Sequence, residues 1–251
     1  MWNRCRRVLT VLLPAFALPL IAAPAIAGGE TQVVRDIPEF EAVYELRRNN
    51  TRAAHLTRRL SCEADECRFE SEGQTVGIID LVLRGRITEW TSFRLDGERG
   101  LQPREYYYRQ RARGGNNEYV RLFFNPGTGQ VSSRGDDRWE REVEGEAMDE
   151  LLSQLRLMLA VRAGETRMEF SVVDSDGELD RYRFAVVGTE TVSTPAGEFE
   201  AVKVERRGGS RRRITTMWFA LELEYMPIIV RHERVDRETY TATLQELKQA
   251  P

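Results

Sequence analysis

The chain has 251 residues, 41% hydrophobic and 31% charged, with a formal net charge of −3. That balance excludes a disordered chain and a polytopic membrane protein, and the lack of net positive charge argues against a nucleic-acid partner. Its histidines (2) and cysteines (3) are too few for a multi-ligand zinc or iron–sulfur centre and leave little material for histidine-based catalysis, so neither a metal nor a cofactor is expected.

Arg4, Arg6 and Arg7 precede an apolar run from Val8 to Ala27 that ends in Ala25-Ile26-Ala27, the small-x-small pattern read by signal peptidase. Residues 1–27 are expected to be a cleaved secretory signal peptide, and 28–251 a single β-rich domain delivered to the periplasm. The alternative is an uncleaved anchor, since the run approaches bilayer-spanning length; Pro14, Pro19 and Pro24 disfavour a continuous helix. A lipoprotein cysteine would follow the run, whereas Cys5 precedes it, so no stable membrane anchor is expected after cleavage.

From Phe40 onwards, short runs of Val, Ile, Tyr, Phe, Thr and Arg are punctuated by Gly, Asn and Asp, the rhythm of a meandering antiparallel sheet. Phe40, Ala42, Tyr44 and Leu46 share one face of the first strand; Tyr182, Phe184 and Val186 share one face of a later one. Turns are expected at Arg48-Asn49-Asn50, Asp96-Gly97, Gly114 to Asn117, Asn125-Pro126-Gly127, Asp176-Gly177 and Gly208-Gly209-Ser210. Cys62 and Cys67 are the only cysteines beyond the leader, and in an exported chain they read as a disulfide over a four-residue turn. Free or redox-active thiols are the alternative, and a metal pair a weaker one. In Tyr106-Tyr107-Tyr108 the middle ring opposes its neighbours, which puts at least one tyrosine on an exposed or rim position.

Met148, Leu151, Leu152, Leu155, Met158 and Leu159 recur at helical spacing between Glu146 and Arg162, with Gly164 as a stop. This predicts one amphipathic helix, packed against the sheet or plugging its concave side. Asp174-Ser175-Asp176-Gly177-Glu178 has only a partial likeness to a calcium loop and reads as a hairpin turn. The fold class that follows is mainly β: a curved antiparallel sheet or open barrel of about a dozen or more strands.

Gly188-Thr189-Glu190 through Thr194-Pro195-Ala196-Gly197-Glu198-Phe199, then Val202-Lys203-Val204, Thr216-Met217-Trp218-Phe219-Ala220 and Tyr225-Met226-Pro227-Ile228, resemble the exported bacterial family DUF3108, as does Asp149 to Arg156 in the helix. The likeness is specific from about Asp149 to Leu247. It implies a β-dominated periplasmic protein and carries over no catalytic residue. Read by themselves, Thr194 to Gly197 form a tight hairpin turn, and Trp218 and Tyr225 are core fillers or pocket walls.

Arg206, Arg207, Arg211, Arg212 and Arg213 crowd one hairpin tip, a local positive patch suited to phosphate or carboxylate; the bland reading is a solvated turn paired with Glu205 and Glu198. There is no nucleophile elbow, Walker loop or H-E-x-x-H motif, and neither His55 nor His232 lies in a recognisable catalytic arrangement. The expected function is therefore non-enzymatic: support of the cell envelope by binding an amphipathic or anionic component, a lipid or glycan, with Arg206, Arg207, Arg211, Arg212, Arg213, Trp218 and Tyr225 as candidate contacts. The alternatives are a scaffold in an envelope protein complex and, third, an envelope hydrolase.

Overall fold

The computed structural model describes residues 38–249 except 78–79, 81–83, 97–99, 116, 144, 208–212 and 235–237; the expected signal peptide lies outside the described residues. In chain order the strands are β1 (Phe40–Arg48), β2 (Thr51–Glu63), β3 (Glu66–Thr75), β4 (Arg86–Asp96), β5 (Gly100–Arg111), β6 (Glu118–Asn125), β7 (Gln130–Arg134), β8 (Arg138–Glu142) and β9 (Ala147–Met148). Helix α1 (Glu150–Arg162) follows, then β10 (Arg167–Val173), β11 (Leu179–Thr194), β12 (Gly197–Arg207), β13 (Arg213–Ala220), β14 (Met226–Arg234) and β15 (Thr239–Gln249).

All strands belong to one 15-stranded sheet in the order β8-β7-β6-β5-β4-β3-β2-β1-β15-β14-β13-β12-β11-β10-β9. Two hairpin meanders leave in opposite directions from a central β1–β15 pair. The pairing is antiparallel except between β9 and β10. Register shifts at Val43/Tyr44, Ser92/Phe93, Val186/Gly188 and Trp218/Phe219 supply the local bends that curl so long a sheet. The ladder does not close. Instead, Trp139 Nε1 on β8 donates to the Ser175 carbonyl (3.2 Å) and Arg141 donates to the Gly177 carbonyl (2.9 Å) in the β10–β11 turn. A Cβ on Gly177 would stand 2.8 Å from the Trp139 ring, so this contact needs glycine.

Helix α1 plugs the concave side. Asp149 caps its N-terminus by accepting the Leu152 N–H (2.8 Å). At the other end Glu165 N–H bonds the Ala160 carbonyl and Gly164 N–H the Val161 carbonyl, a Schellman stop with Gly164 left-handed at φ 82°. The helix starts four residues later than Glu146, because Ala147 and Met148 pair with Ser171 and Val172 instead. Its burial is also wider than one stripe: Leu157, Ala160 and Val161 are as buried as Leu151, Leu152 and Leu155. A helix buried over so wide an arc is one packed on more than one side, and only Glu150, Gln154, Arg156 and Arg162 along it keep some exposure.

Antiparallel meandering sorts the turns between two ends. One end carries the connections after β1, β3, β5, β7, β10, β12 and β14, among them Arg48, Arg84, Arg111 and Arg113, with Arg207 and Arg213 at the ends of β12 and β13. The other carries Glu63, Asp65 and Glu66 after β2, Glu142 and Glu146 after β8, and Glu222 and Glu224 after β13.

Cys62 and Cys67 face each other across β2 and β3 and are bonded, S–S 2.04 Å. The cross-link closes a short ring, for which loop-closure entropy gives about 2 kcal/mol. Cys62→Ser with Cys67→Ser is expected to lower the unfolding free energy by about that amount; denaturant melts of the double variant that match the oxidised wild type would refute a stapling role.

Candidate anion-binding pocket

The helix fills most of the interior but leaves, among smaller gaps, a pocket of about 150 Å³ toward the arginine end. Its apolar wall comes from inward positions of β1, β2, β13, β14 and β15: Leu46, Leu56, Met217, Val230 and Ala242. Its polar groups are Arg58 on β2, Arg206 on β12, Tyr182 on β11, His232 on β14, and Glu150 and Gln154 on the helix.

Arg58 occupies the same inward register as Leu56 and Leu60 on β2, a position where arginine is out of pattern. The Nε atoms of both Arg58 and Arg206 are buried and have no hydrogen-bond partner among the described residues. Leaving a buried guanidinium donor unsatisfied is costly. The Arg206 guanidinium lies 3.8 Å from the centre of the Tyr182 ring, and that of Arg58 lies 5.7 Å from Tyr44; this stacking holds the planar groups in place while leaving edge donors for a ligand. Tyr44 is fixed by donating to the Pro227 carbonyl (2.8 Å), and burial pushes its hydroxyl up to about 12.

Two of the remaining groups are committed. Thr215 Oγ1 and His232 Nδ1 lie 2.8 Å apart, and the Ser153 hydroxyl donates to the Glu150 carbonyl (2.7 Å). Glu150 accepts a long bond from the Tyr182 hydroxyl, 3.4 Å. Deeper in, Glu89 accepts the Tyr106 hydroxyl (2.9 Å) and Asp149 the Thr91 hydroxyl (2.7 Å); burial raises Glu89 to about 7 and Asp149 to about 6.

Of the contacts expected from sequence, Arg206 lines the pocket. Arg207 and Arg213 end β12 and β13 at the same edge, and Arg211 and Arg212 lie outside the described residues. Trp218 is on the other side of β13: it donates to Glu190 (2.6 Å) and lies beneath Lys203 and Arg231 on the convex face. Tyr225 sits in the β13–β14 turn at the acidic end, its N–H bonded to the Ala220 carbonyl. Neither aromatic reaches the pocket, because Met217 takes the inward position next to Trp218 and Tyr225 lies at the opposite end. Tyr107 does face outward, stacked on Trp90 at 5.3 Å. Sequence reasoning overlooked Arg58; its signal was a lone arginine in the apolar register of β2. No group of three or more metal-ligating side chains occurs among the described residues.

The fold is shared with a solved structure. A crystal structure of a β-barrel-like protein of the DUF1849 domain from Brucella abortus aligns with a TM-score of 0.59 at 8% identity, covering 86% of this chain and 99% of that one. More distant matches are a candidate lipoprotein from Parabacteroides distasonis (TM-score 0.31, 11% identity, 84% and 96% covered) and a candidate exported protein with a YmcC-like fold from Bacteroides fragilis (0.30, 10%, 84% and 96%). These two scores are too low to support an argument about the fold. No curated protein matches the chain. The model of the family described as "protein of unknown function (DUF3108)" matches residues 41–245, a span running from β1 to β15, and the chain accordingly belongs to the DUF3108 family.

Proposed function

We propose that this protein is an exported, non-enzymatic binding protein of the periplasm that takes up the anionic head of an amphipathic envelope molecule. The observation that carries the reading is the pair of buried, unpartnered Nε donors on Arg58 and Arg206 beside an apolar wall. Guanidinium forks suit phosphate and carboxylate, while Leu46, Leu56, Met217 and Val230 suit the first methylenes behind such a head. The size limits the ligand: enclosed sites for drug-sized molecules run to about 300–1,000 Å³, against about 150 Å³ here. A head and a short apolar stem fit, and a whole two-chain lipid does not. The closed Cys62–Cys67 bond suits an oxidising compartment. A scaffold role has the helix-filled interior in its favour, but the exposed large hydrophobics among the described residues are only Leu179, Val187 and Ile214, short of a broad apolar patch.

Calorimetric titration with octyl phosphate, with octanol as the neutral control, tests the reading. Each of Arg58→Gln and Arg206→Gln is expected to weaken octyl phosphate binding roughly 10- to 100-fold, the loss of one charge-assisted hydrogen bond, and to leave octanol unaffected. Absence of octyl phosphate binding by the wild type, or equal binding by both variants, would remove the proposal.

A further inference from the structure

The convex face mostly matches arginine with acid: Arg59 with Glu41, Arg94 with Asp65, Arg121 with Glu105 and Arg183 with Glu169, each at 2.6 Å. Exposed arginines without such a partner also occur, and four of them stand together. An open hollow of about 450 Å³ at the turn ends of β4, β5 and β6 is lined by Arg84, Arg109, Arg111 and Arg113, together with Glu118 and Asp136. None of these four arginines forms an ion pair with a carboxylate among the described residues. Arg109 lies 5.8 Å from the Tyr119 ring, and Asp136 is occupied by the Tyr119 N–H at 2.8 Å.

The hollow and the pocket belong to the same end of the sheet. One paired row runs Arg111, Arg86, Gln74, His55, Glu45, Thr243, and the pocket residues Leu46, Leu56 and Ala242 flank its far half. Arg206, Arg207 and Arg213 stand beyond it at the ends of β12 and β13. The chain is net acidic, yet Arg84, Arg86, Arg111 and Arg113 and the ends of β12 and β13 at Arg206, Arg207 and Arg213 belong to this end, alongside Asp80, Asp136, Asp137, Asp174, Asp176 and Glu178, while Glu63, Asp65, Glu66, Glu222 and Glu224 occupy the other. A molecule so polarised orients in an electric field.

We propose that the arginine end is a docking surface for an anionic lipid bilayer. Exposed guanidinium groups without acidic partners match phosphodiester headgroups, and the acidic end, repelled by the same surface, fixes the orientation. An apolar-walled pocket with its own buried arginines lies toward this end, which favours a lipid surface over a soluble polyanion as the partner. That choice of a lipid partner rests on the binding role proposed above; the charge match to an anionic surface does not.

Co-sedimentation of the mature protein with phosphatidylglycerol-containing vesicles, against pure phosphatidylcholine vesicles, is the test. Binding to the anionic vesicles is expected at low salt and should be lost as salt shortens the Debye length from about 30 Å at 0.01 M to about 8 Å at 0.15 M. The triple variant Arg84→Gln, Arg111→Gln, Arg113→Gln is expected to bind at least about 100-fold more weakly, at roughly 1 kcal/mol per arginine near a charged surface. It should melt like the wild type, since the three side chains are exposed, and its octyl phosphate affinity should be unchanged, which separates a failure of docking from a failure of the pocket. Equal binding to neutral vesicles, no binding to anionic ones, binding to inorganic polyphosphate alone, or undiminished binding by the triple variant would each overturn it.

Discussion

Truncating Leu152 to alanine is expected to lower the unfolding free energy by about 3 kcal/mol, with a range of roughly 2–5 kcal/mol for buried leucines in well-packed surroundings. Leu152 is fully buried on α1. Its backbone N–H is also the one that the Asp149 carboxylate caps, which pins the first turn and limits how far the helix can slide to fill the void. For a domain of this size such a loss shifts the melting temperature by about 10 °C. Glu165→Ala is a suitable control, since that side chain is partly exposed beyond the helix. A Leu152→Ala variant that melts within about 2 °C of the wild type would mean that the helix is not the plug on which both meanders pack, and the whole account of the interior would fall.

Stability is expected to rise as pH falls from 8 to 5, opposite to the behaviour of a protein held together by ion pairs. Glu89 is raised from 4.5 to about 7 and Asp149 from 3.8 to about 6, in both cases chiefly by burial. A carboxyl whose folded-state value is raised binds protons more readily in the folded protein than in the unfolded chain. Below the unfolded value both states are protonated and the ionisation penalty vanishes. Above the folded value both are charged, and the folded state carries the full cost of the buried charge. The gain therefore accumulates between about pH 8 and pH 4 and amounts to a few kcal/mol for the two groups together. Below that window Asp65, Glu41, Glu169 and Glu190, all held low mainly by hydrogen bonds to Arg94, Arg59, Arg183 and Trp218, lose their partners' stabilisation and the trend reverses. Urea melts at half-unit intervals would check the curve. Glu89→Gln, which keeps an acceptor for the Tyr106 hydroxyl, should flatten the upper part of the rise. A slope between pH 6 and 8 identical in wild type and variant would show that Glu89 is not the titrating group.

Both predictions depend on polar groups that single-strand pattern reading does not weigh. Thr91 and Asp149 are 58 positions apart in sequence, yet they meet at 2.7 Å inside the sheet; nothing local to either residue marks it as buried. The same holds for Arg58, whose neighbours Thr57 and Arg59 give β2 a polar, surface-like texture. Only its in-register relation to Leu56 and Leu60 betrays an inward direction. Trp218 shows the converse: an apolar run suits a tryptophan as core filler or as pocket wall, and because Trp218-Phe219-Ala220 alternates across the sheet the ring is buried beneath Lys203 and Arg231, away from the pocket.

What the amino-acid sequence determined by itself was local. Two-residue alternation, punctuated by Asn, Asp, Gly and Pro, dictated antiparallel strands and their turns, since those choices depend only on backbone sterics and on which neighbours can share a face. Leucine and methionine at turns of 3.6 dictated the helix, and two cysteines six positions inclusive apart dictated their cross-strand bond. The tertiary structure alone decided how tightly the sheet curls, because that is the sum of bulges and twist over fifteen strands closing on a helix of fixed girth. It likewise decided that Arg58 and Arg206, from opposite meanders, share one pocket, since their meeting depends on the β1–β15 pairing of the chain's two ends and on no shorter-range interaction.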